Sequence, residues 1–535
     1  MEKRKTNRRS FIKASSLGAL GLINVPSILT SCTGSGSKSD SLSEPVTLQD
    51  VKGLVFATPE SQGVPSGAVV DMLDFLETKG VCMHSFLLMR HGAVVAEGYW
   101  PPFDKDRKQR MYSVSKSFTS VAIGLMITEG KLKLDDKVAD FFPESLPENP
   151  HPFIRQAKVR DLLMMSTFNP RSTGMRQGQT GVWSFFNSGD TLRPPGAVFA
   201  YDTAGTNTLA AIIEKQMGMT FLDYMRPKIL DPIGISKDIY CIKNVDERSW
   251  SGSGVLCTLR DLARFALLCM NQGAFEGKQL LSKEYMQAAT SRQIENAVGR
   301  SEPEMRYGYG YQFWCLRDGG FAGYGMGGQF MFCMPKYDVI LVTTADVQLD
   351  NEGLGDIQDA FWALLKNLKS KMPDDADAHK KLSARIESLT IKLPEGKLTS
   401  PFAARYNDKE FKMEANPMGL STVRLSFKSN EAVFNYVNET GAFSIRIGIG
   451  NFISQSFPEP YSGKVSGVRD TYYDTIAGGA WVSENVFKCT IKAVDTYLGT
   501  MRIQFVFLED SLYIQMAKVA ENFFEKYQGF ALGHV

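Results

Sequence analysis

A serine and a lysine three residues apart, Ser113 and Lys116, open the apolar stretch RMYSVSKSFTSVAIGLMITEG, residues 110–130. A serine hydroxyl becomes a nucleophile when a neighbouring base removes its proton. A lysine whose amine has lost its water can be that base, because dehydration favours the neutral amine. The pair therefore suggests covalent catalysis, but the S-x-x-K spacing alone is a weak signal.

The residues that follow Ser113 determine how the pair would be presented. Apolar residues recur at helical spacing: Val114, Phe118, Val121, Ala122, Leu125 and Met126. This spacing predicts a helix that starts at Ser113 and ends at Gly130, with Lys116 on the same side one turn on. Free N–H groups at a helix start can stabilise an oxyanion. Serine is also a common helix cap and lysine a common surface residue, so the pair alone leaves both interpretations open.

Two further segments carry candidate groups. Tyr201 stands just before a predicted helix in PPGAVFAYDTAGTNTLAAIIEKQMG, residues 194–218, where it is either a packing residue or a proton shuttle. The segment GGFAGYGMGGQFMFCMP, residues 319–335, has six glycines in its first ten residues and leads into a strand. Glycines there let a substrate backbone approach closely or supply a backbone N–H to an oxyanion hole. The alternative is a flexible hairpin tip.

In this order, the SVSK segment, Tyr201 and the glycine-rich strand resemble the penicillin-recognising serine hydrolases. That superfamily includes class C β-lactamases, D-alanyl-D-alanine peptidases, carboxylesterases and nylon-oligomer hydrolases. The resemblance spans roughly residues 55–370 and includes HSFLLMRHGAVVAEGYW, VRDLLMMST and YGYGYQFW. It implies a serine β-lactamase-like α+β fold, with an antiparallel sheet flanked by helices and a helical subdomain.

The resemblance also implies roles for individual residues. Ser113 resembles the acylated nucleophile, Lys116 the base that activates it, and Tyr201 the tyrosine of the Y-x-N motif that passes protons. The third position of that motif is Thr203 here rather than asparagine.

The glycine-rich strand corresponds to the K-T-G or H-x-G strand of the superfamily. The triplet Gly323-Tyr324-Gly325 lies in that place, and the N–H groups of Ser113 and Met326 would then form the oxyanion hole. An alternative register places Met326-Gly327-Gly328 there. The K-T-G cation, which helps bind a substrate carboxylate, is replaced by Gly323. This difference favours an ester or neutral amide over a β-lactam.

The N-terminal residues resemble a targeting signal rather than part of a folded domain. NRRSFIK is similar to a twin-arginine export signal, and LTSC is similar to a lipoprotein cleavage box with Cys32 as the lipidated residue. A plain secretory signal is the alternative. We predict an export signal over residues 1–31 and a flexible tether over 32–46. The other two S-x-x-K copies, Ser10/Lys13 and Ser35/Lys38, fall in these segments and are not candidate sites.

The length of the chain and the change in residue pattern along it predict two folded domains. The 535 residues are 43% hydrophobic, which is ordinary for globular proteins. We predict the hydrolase domain over residues 47–372 and a charged linker over 373–395. Short alternating runs such as AVFNYVNE predict a small all-β barrel or sandwich over 396–535, whose ligand is unknown.

Charge and residue usage exclude several function classes. The net charge is +2, but residues 1–31 alone carry +5, which leaves −3 and no basic patch for nucleic acid. Only five histidines are present, with neither a CxxC nor an HExxH motif, so no metal or other cofactor is expected.

The sequence therefore predicts a serine hydrolase for small ester, amide or peptide substrates, lipid-anchored in the bacterial cell envelope. The first alternative is a D-amino-acid peptidase, penicillin-binding protein or β-lactamase acting on cell-wall-type substrates. The second is a binding protein that has lost catalysis. The joint presence of Ser113, Lys116 and Tyr201 opposes this second alternative.

Overall fold

The computed structural model describes residues 54–170, 181–187, 192–298, 303–348, 351–462, 467–520 and 526–535. These residues belong to one compact unit, Leu48–Val535. The predicted export signal, the tether and Cys32 lie outside the described residues. Among the helices of the described part, none combines the length and apolar character needed to cross a membrane.

The first part of the described chain, residues 54–370, mixes strands and helices and is called the α+β domain below. Its strands are β1 (Val55–Phe56), β2 (Met83–Arg90), β3 (Ala93–Tyr99), β4 (Gln109–Arg110), β5 (Tyr240–Cys241), β6 (Val255–Cys257), β7 (Ala274–Phe275), β8 (Lys278–Gln279), β9 (Trp314–Cys315), β10 (Phe321–Gly325), β11 (Gln329–Met334) and β12 (Val339–Ala345). Its helices are α1 (Ser66–Thr78), α2 (Ser115–Thr128), α3 (Val138–Phe141), α4 (Pro152–Gln156), α5 (Val159–Leu163), α6 (Gly181–Phe186), α7 (Thr203–Met217), α8 (Phe221–Met225), α9 (Leu259–Met270), α10 (Lys283–Ala289) and α11 (Asn351–Lys366).

One sheet organises this domain. Within the described residues its strand order is β1-β3-β2-β12-β11-β10-β9, antiparallel except for the β1–β3 pair. Alternate residues of β2 face two different cores: Leu87 and Met89 pack with α2 and α9, whereas Phe86 and Leu88 pack with α1 and α11. A strand covered on both faces is apolar throughout, which explains the continuous run SFLLM. The predicted antiparallel sheet flanked by helices is confirmed.

Most of the chain between β4 and β9 forms a helical subdomain. Helix α7 packs against α2, α5 and α6, and α2 also packs against α8 and α10. Helix α2 is apolar around most of its circumference, and its residues from Ser115 to Met126 are all buried. A helix buried on all sides can hold a side chain away from water, which a surface helix cannot do.

The predicted linker, residues 373–395, contains a helix that the sequence interpretation missed. Helix α12 (Ala376–Glu387) is capped by Asp375, buries Leu382 and packs against α1. Arg385 forms ion pairs with Asp74 and Glu77 of α1. The charged composition that suggested a linker is the solvent-facing side of this helix.

The C-terminal part, residues 401–535, is a β-barrel and is called the barrel domain below. Helix α13 (Pro401–Tyr406) precedes the strands β13 (Glu410–Met413), β14 (Thr422–Phe427), β15 (Glu431–Asn438), β16 (Gly441–Ile449), β17 (Ile453–Ser456), β18 (Asp474–Ser483), β19 (Val486–Val494), β20 (Leu498–Leu508), β21 (Ser511–Ala520) and β22 (Gly529–His534). Within the described residues, nine of these strands close into a ring because β16 also pairs with β18 in parallel. Strand β17 pairs outside the ring, along β18. Of the predicted barrel or sandwich, the barrel is therefore correct.

The two domains share part of one hydrophobic core. Ile476 of β18 and Val494 of β19 pack in the same cluster as Trp100, Leu382 and Ile391. The barrel domain therefore packs directly on the α+β domain and is not held by the connecting segment alone.

A glycine inside α2 gives a test of how tightly this helix is packed. A Cβ atom at Gly124 would lie 2.4 Å from the Tyr285 ring. We expect Gly124→Ala to lower the free energy of unfolding by about 1–3 kcal/mol, although alanine is the better helix former. The measurement is equilibrium unfolding in denaturant.

Gly355 in α11 is the matched control, because a Cβ atom there would have no neighbour within 4 Å. We expect Gly355→Ala to raise stability by about 0.5–1 kcal/mol, the ordinary difference in helix propensity. Equal effects of the two substitutions would contradict the close packing of α2 against Tyr285.

Candidate active site

The predicted nucleophile and base lie together at the start of α2. Ser113 occupies a turn of 3₁₀ helix, Tyr112–Val114, that leads directly into α2. Lys116 lies in the first turn of α2, and its Nζ is 3.1 Å from Ser113 Oγ. Helical geometry places two residues three apart on one side of the chain, and the structure shows this arrangement. The structure therefore brings the two predicted side chains together.

The amine of Lys116 is enclosed by protein. The residue is 1% exposed, and its Nζ donates a second hydrogen bond to the Gly252 carbonyl oxygen at 2.6 Å. Burial lowers the pKa of the Lys116 amine to about 7, with Asp202 raising it and Arg110 lowering it to a smaller extent. Near neutral pH a large share of the molecules therefore carry an uncharged amine, whose lone pair can accept the Ser113 proton.

Asp202 places a negative charge near this amine. It is fully buried, caps α7 by accepting a hydrogen bond from the Ala204 N–H at 3.1 Å, and accepts one from Thr167 Oγ1 at 3.3 Å. Sequence reasoning did not select Asp202. The signal was present, since an aspartate just before an apolar helical run is a typical N-cap.

Tyr201 lies against the amine of Lys116. Lys116 Nζ is 4.8 Å from the centroid of the Tyr201 ring. The Tyr201 ring also stacks on Trp314, with the centroids 5.6 Å apart and 20° between the planes. Tyr309 and Phe199 pack around Trp314. Tyr201 therefore belongs to an aromatic wall beside Lys116, and Trp314 is a component of this wall that sequence reasoning did not select.

Thr203 supports the loop that holds the lysine. A Cβ atom at Gly252 would lie 2.7 Å from Thr203 Cγ2, so the threonine packs directly against this glycine. The Gly252 N–H donates to Asn207 Oδ1 at 2.9 Å. Thr203 and Asn207 therefore fix the Gly252 carbonyl that accepts from Lys116. Asn207 lies one turn after Thr203 on α7, and sequence reasoning did not select it.

The glycine-rich strand β10 runs directly beside the nucleophile turn. A Cβ atom at Gly325 would lie 2.4 Å from the Met111 carbonyl oxygen, and one at Gly323 would lie 3.0 Å from Val114 Cγ1. Side chains at these two positions would push the strand away from Ser113. The absence of side chains at Gly323 and Gly325 therefore lets β10 lie close to this turn.

The strand register distinguishes the two candidate triplets. Gly323 pairs with Met331 and Gly325 with Gln329, so Gly323-Tyr324-Gly325 forms the end of β10. Residues 326–328 form the turn into β11, with φ values of +82° at Gly327 and +95° at Gly328. Met326 is 41% exposed at this turn.

The Tyr324 side chain lies on the opposite face of β10 from Gly323 and Gly325. It is buried, packs edge-on against Phe330 and Trp314, and its hydroxyl accepts from Gln358 Nε2 at 3.4 Å. Its ring therefore packs against Trp314, a member of the aromatic wall. The resemblance places Tyr324 in the strand that binds substrate in the superfamily, and this role stays a prediction.

The effect of the lowered Lys116 pKa on the free energy of unfolding can be measured. Below its ordinary pKa of 10.5, the unfolded chain binds a proton at this lysine that the folded chain releases above a pH of about 7. Between these values we expect the stability of the wild-type protein to rise relative to that of Lys116→Met, by up to about 1.4 kcal/mol per pH unit. Below pH 7 the difference between the two proteins should be constant.

The measurement is the free energy of unfolding of both proteins from pH 6 to about 10. Lys133→Met, at an exposed lysine, is the control for losing a positive charge. A stability difference between wild type and Lys116→Met that does not change with pH would contradict the lowered pKa.

Comparison with known proteins identifies the family of this chain. A family model described as Beta-lactamase matches residues 57–360. The 6-aminohexanoate-dimer hydrolase of Paenarthrobacter ureafaciens is 26% identical over 312 residues, which cover 54% of this chain and 79% of the relative.

Two solved structures are also similar. The D-amino acid amidase from Ochrobactrum anthropi SV3 complexed with D-phenylalanine matches at 17% identity and a TM-score of 0.46, covering 56% of this chain and 98% of that chain. The octameric penicillin-binding protein homologue from Pyrococcus abyssi matches at 16% identity and a TM-score of 0.44, covering 87% of this chain and 99% of that chain.

The match to the family model begins directly after β1 and extends into α11, so it includes α2 and the residues around it. It spans more than half of the chain and confirms the superfamily resemblance implied by the sequence. The chain belongs to the Beta-lactamase family.

Proposed function

We propose that this protein is a serine hydrolase that forms an acyl-enzyme at Ser113 from an ester or a neutral amide. The observation that supports the proposal best is the 3.1 Å contact between Ser113 Oγ and the buried Nζ of Lys116. The pKa of that amine, lowered to about 7, suits a general base at neutral pH. A protonated lysine on the surface would have neither property.

In the proposed acylation step, Lys116 accepts the Ser113 proton while Oγ attacks the carbonyl carbon of the substrate. A bond forms between Oγ and that carbon, and the carbonyl oxygen becomes negatively charged. The N–H groups of Ser113 and Met326 are the proposed donors to this oxyanion. When the intermediate collapses, the bond to the leaving alcohol or amine breaks. The leaving group takes the proton from Lys116, and Tyr201, which lies against that amine, is the proposed relay.

Deacylation repeats these steps with water in place of the serine. Lys116 accepts a proton from water, and the resulting hydroxide adds to the acyl carbon. The bond from carbon to Ser113 Oγ then breaks, Oγ regains its proton from Lys116, and the acid leaves. Each cycle thus consumes one water and returns both side chains to their starting state.

The neighbourhood of Ser113 favours uncharged substrates. Gly323 stands where a K-T-G strand has its cation, so that position offers no charge-assisted hydrogen bond to a substrate carboxylate. The wall beside Lys116 consists of the aromatic rings of Tyr201 and Trp314, which suit apolar groups. Two relatives, 6-aminohexanoate-dimer hydrolase and D-amino acid amidase, are named for amide substrates, and we extend amide hydrolysis to this chain as part of the proposal.

The cell envelope is the proposed place of action, with Cys32 as the lipid-modified residue, on the basis of the N-terminal sequence. That location also suits a penicillin-binding or D-peptidase activity, for which the replaced cation at Gly323 is unfavourable.

Activity-based probes test the proposed function. We expect a fluorophosphonate probe to label the wild-type protein at Ser113, and Ser113→Ala to lose labelling entirely, because the nucleophilic oxygen is gone. Intact mass and peptide mapping are the measurements. Ser120→Ala is the matched control: it removes a buried hydroxyl of the same helix that contacts Tyr285 Oη at 3.1 Å and should keep its labelling.

A penicillin probe used in parallel separates the alternatives. Acylation of Ser113 by penicillin would favour the peptidase or β-lactamase interpretation over the esterase and amidase one. If neither probe reacts while a control hydrolase is labelled, the protein is not a serine hydrolase of this kind.

The pH dependence of labelling tests the role of Lys116. Neutral amine is required, so the rate constant for fluorophosphonate labelling should rise about tenfold per pH unit below the inflection. It should then level off above the Lys116 pKa of about 7. Stopped labelling at a series of pH values, read by gel fluorescence, gives the profile. A rate that is flat from about pH 5.5 to 9 would rule out Lys116 as the titrating base.

A further inference from the structure

The turn between β19 and β20 of the barrel domain reaches the residue next to the proposed nucleophile. The backbone N–H of Leu498 donates a hydrogen bond to Tyr112 Oη at 2.9 Å, between residues 386 positions apart in the chain. Both residues are buried. The barrel domain therefore contacts Tyr112, the first residue of the turn that carries Ser113.

Tyr112 is held in an uncommon backbone conformation. Its φ is +45°, in the left-handed region that residues other than glycine rarely adopt. Such a conformation is unfavourable and persists only where the surroundings enforce it. The hydrogen bond to Leu498 is one such restraint, and it acts on the residue that sets the direction of Ser113.

A second link passes through Arg110. Its guanidinium lies 4.3 Å from the ring centroid of Tyr112, 4.5 Å from that of Trp250 and 4.8 Å from that of Tyr497, which belongs to the barrel turn. The same guanidinium donates to the Ser253 carbonyl oxygen at 2.8 Å and to its hydroxyl at 3.0 Å.

This stack reaches both members of the proposed catalytic pair. Ser253 directly follows Gly252, whose carbonyl oxygen accepts from Lys116 Nζ, and Tyr112 directly precedes Ser113. Tyr497 thus stacks on Arg110. Arg110 in turn contacts Tyr112, next to the proposed nucleophile, and Ser253, next to the residue whose carbonyl accepts from Lys116. Cation–π contacts are stronger between buried groups than at exposed sites, so this stack restrains the position of Arg110.

The barrel turn also touches the end of the glycine-rich strand and is fixed at its base. A Cβ atom at Gly327 would lie 2.6 Å from Leu498 Cδ1, so the leucine packs against the residue after Met326. Thr500 Oγ1 donates to Asp346 Oδ2 at 2.7 Å, and both residues are buried. The turn is therefore fixed from two sides of the α+β domain.

We propose that the β19–β20 turn, Val494–Leu498, is a positioning element of the active site, acting through Tyr112 and Arg110. The barrel domain then takes part in orienting Ser113 and Lys116 rather than serving as a separate binding module. This inference rests on the proposed function for its effect on catalysis, but not for its effect on the conformation of residues 110–116.

The first experiment measures conformation without reference to activity. Amide hydrogen exchange of the full chain, read by mass spectrometry, should be faster over residues 110–116 in Tyr112→Phe and in Tyr497→Leu than in the wild type. Tyr406→Phe is the matched control, because it also removes a buried phenolic hydroxyl. That hydroxyl donates to the Glu509 carbonyl oxygen within the barrel domain, so exchange over residues 110–116 should be unchanged. Unchanged exchange in both test variants would overturn the inference.

The second experiment measures the reaction. On a p-nitrophenyl ester we expect Tyr112→Phe and Tyr497→Leu to lower kcat roughly 10- to 100-fold with KM nearly unchanged, because misorientation of Ser113 affects attack more than binding. Tyr497→Phe keeps the ring over Arg110 and should restore a rate close to the wild-type value. Wild-type kcat in Tyr112→Phe and Tyr497→Leu, or a Tyr497→Phe variant as slow as Tyr497→Leu, would overturn the positioning role.

The two experiments separate the two proposals. A wild-type protein with no reaction at Ser113 would refute the proposed function, whereas hydrogen exchange would still decide whether the barrel turn orients residues 110–116. If Tyr112→Phe does not fold, the pair Tyr497→Leu and Tyr497→Phe decides both readouts.

Discussion

The central physical constraint in this protein is that the amine of Lys116 must be kept away from water. In water the amine would be protonated at neutral pH and could not act as a base. At 1% exposure, with Ser113 Oγ and the Gly252 carbonyl oxygen as its neighbours, the amine keeps two hydrogen bonds while its pKa falls to about 7. Burial of a polar group is tolerable only when such partners are present.

These partners come from distant parts of the sequence, and each is held by other contacts. The Gly252 carbonyl is fixed by Asn207 of α7 through the peptide N–H. Asp202 at the start of α7 raises the pKa of the amine, and Arg110 in β4 lowers it, so the value near 7 results from opposed contributions on top of burial. The sheet, α2 and α7 are thus needed together, and the glycines of β10 let the sheet approach the nucleophile turn closely.

Local features of this arrangement could be predicted from sequence, and long-range ones could not. The joint placement of Ser113 and Lys116 depends only on helical spacing, and the existence of α2 on the apolar residues that recur along it. Asp202, Asn207 and Gly252 have ordinary local roles, a helix cap, a helix residue and a loop residue. Their relation to Lys116 arises only when α7 packs beside α2, which no local pattern encodes.

The C-terminal half shows the same limit. Alternation in β15, whose residues are buried at every second position, indicated an all-β domain. Closure into a barrel depends on the parallel pairing of Gly448 with Gly478, which leaves no local signal in the sequence. The helix α12 was missed for the opposite reason: its charged face suggested a linker, although Leu382 is buried.

A lysine base makes a particular demand on the fold. A histidine titrates near neutral pH even in water, whereas a lysine does so only when the surrounding protein excludes water and restrains the groups around it. Here those groups include Arg110, which is enclosed by Tyr112 and Trp250 of one domain and Tyr497 of the other. The barrel domain therefore contributes to the surroundings of Arg110, one of the charged groups that shift the pKa of Lys116.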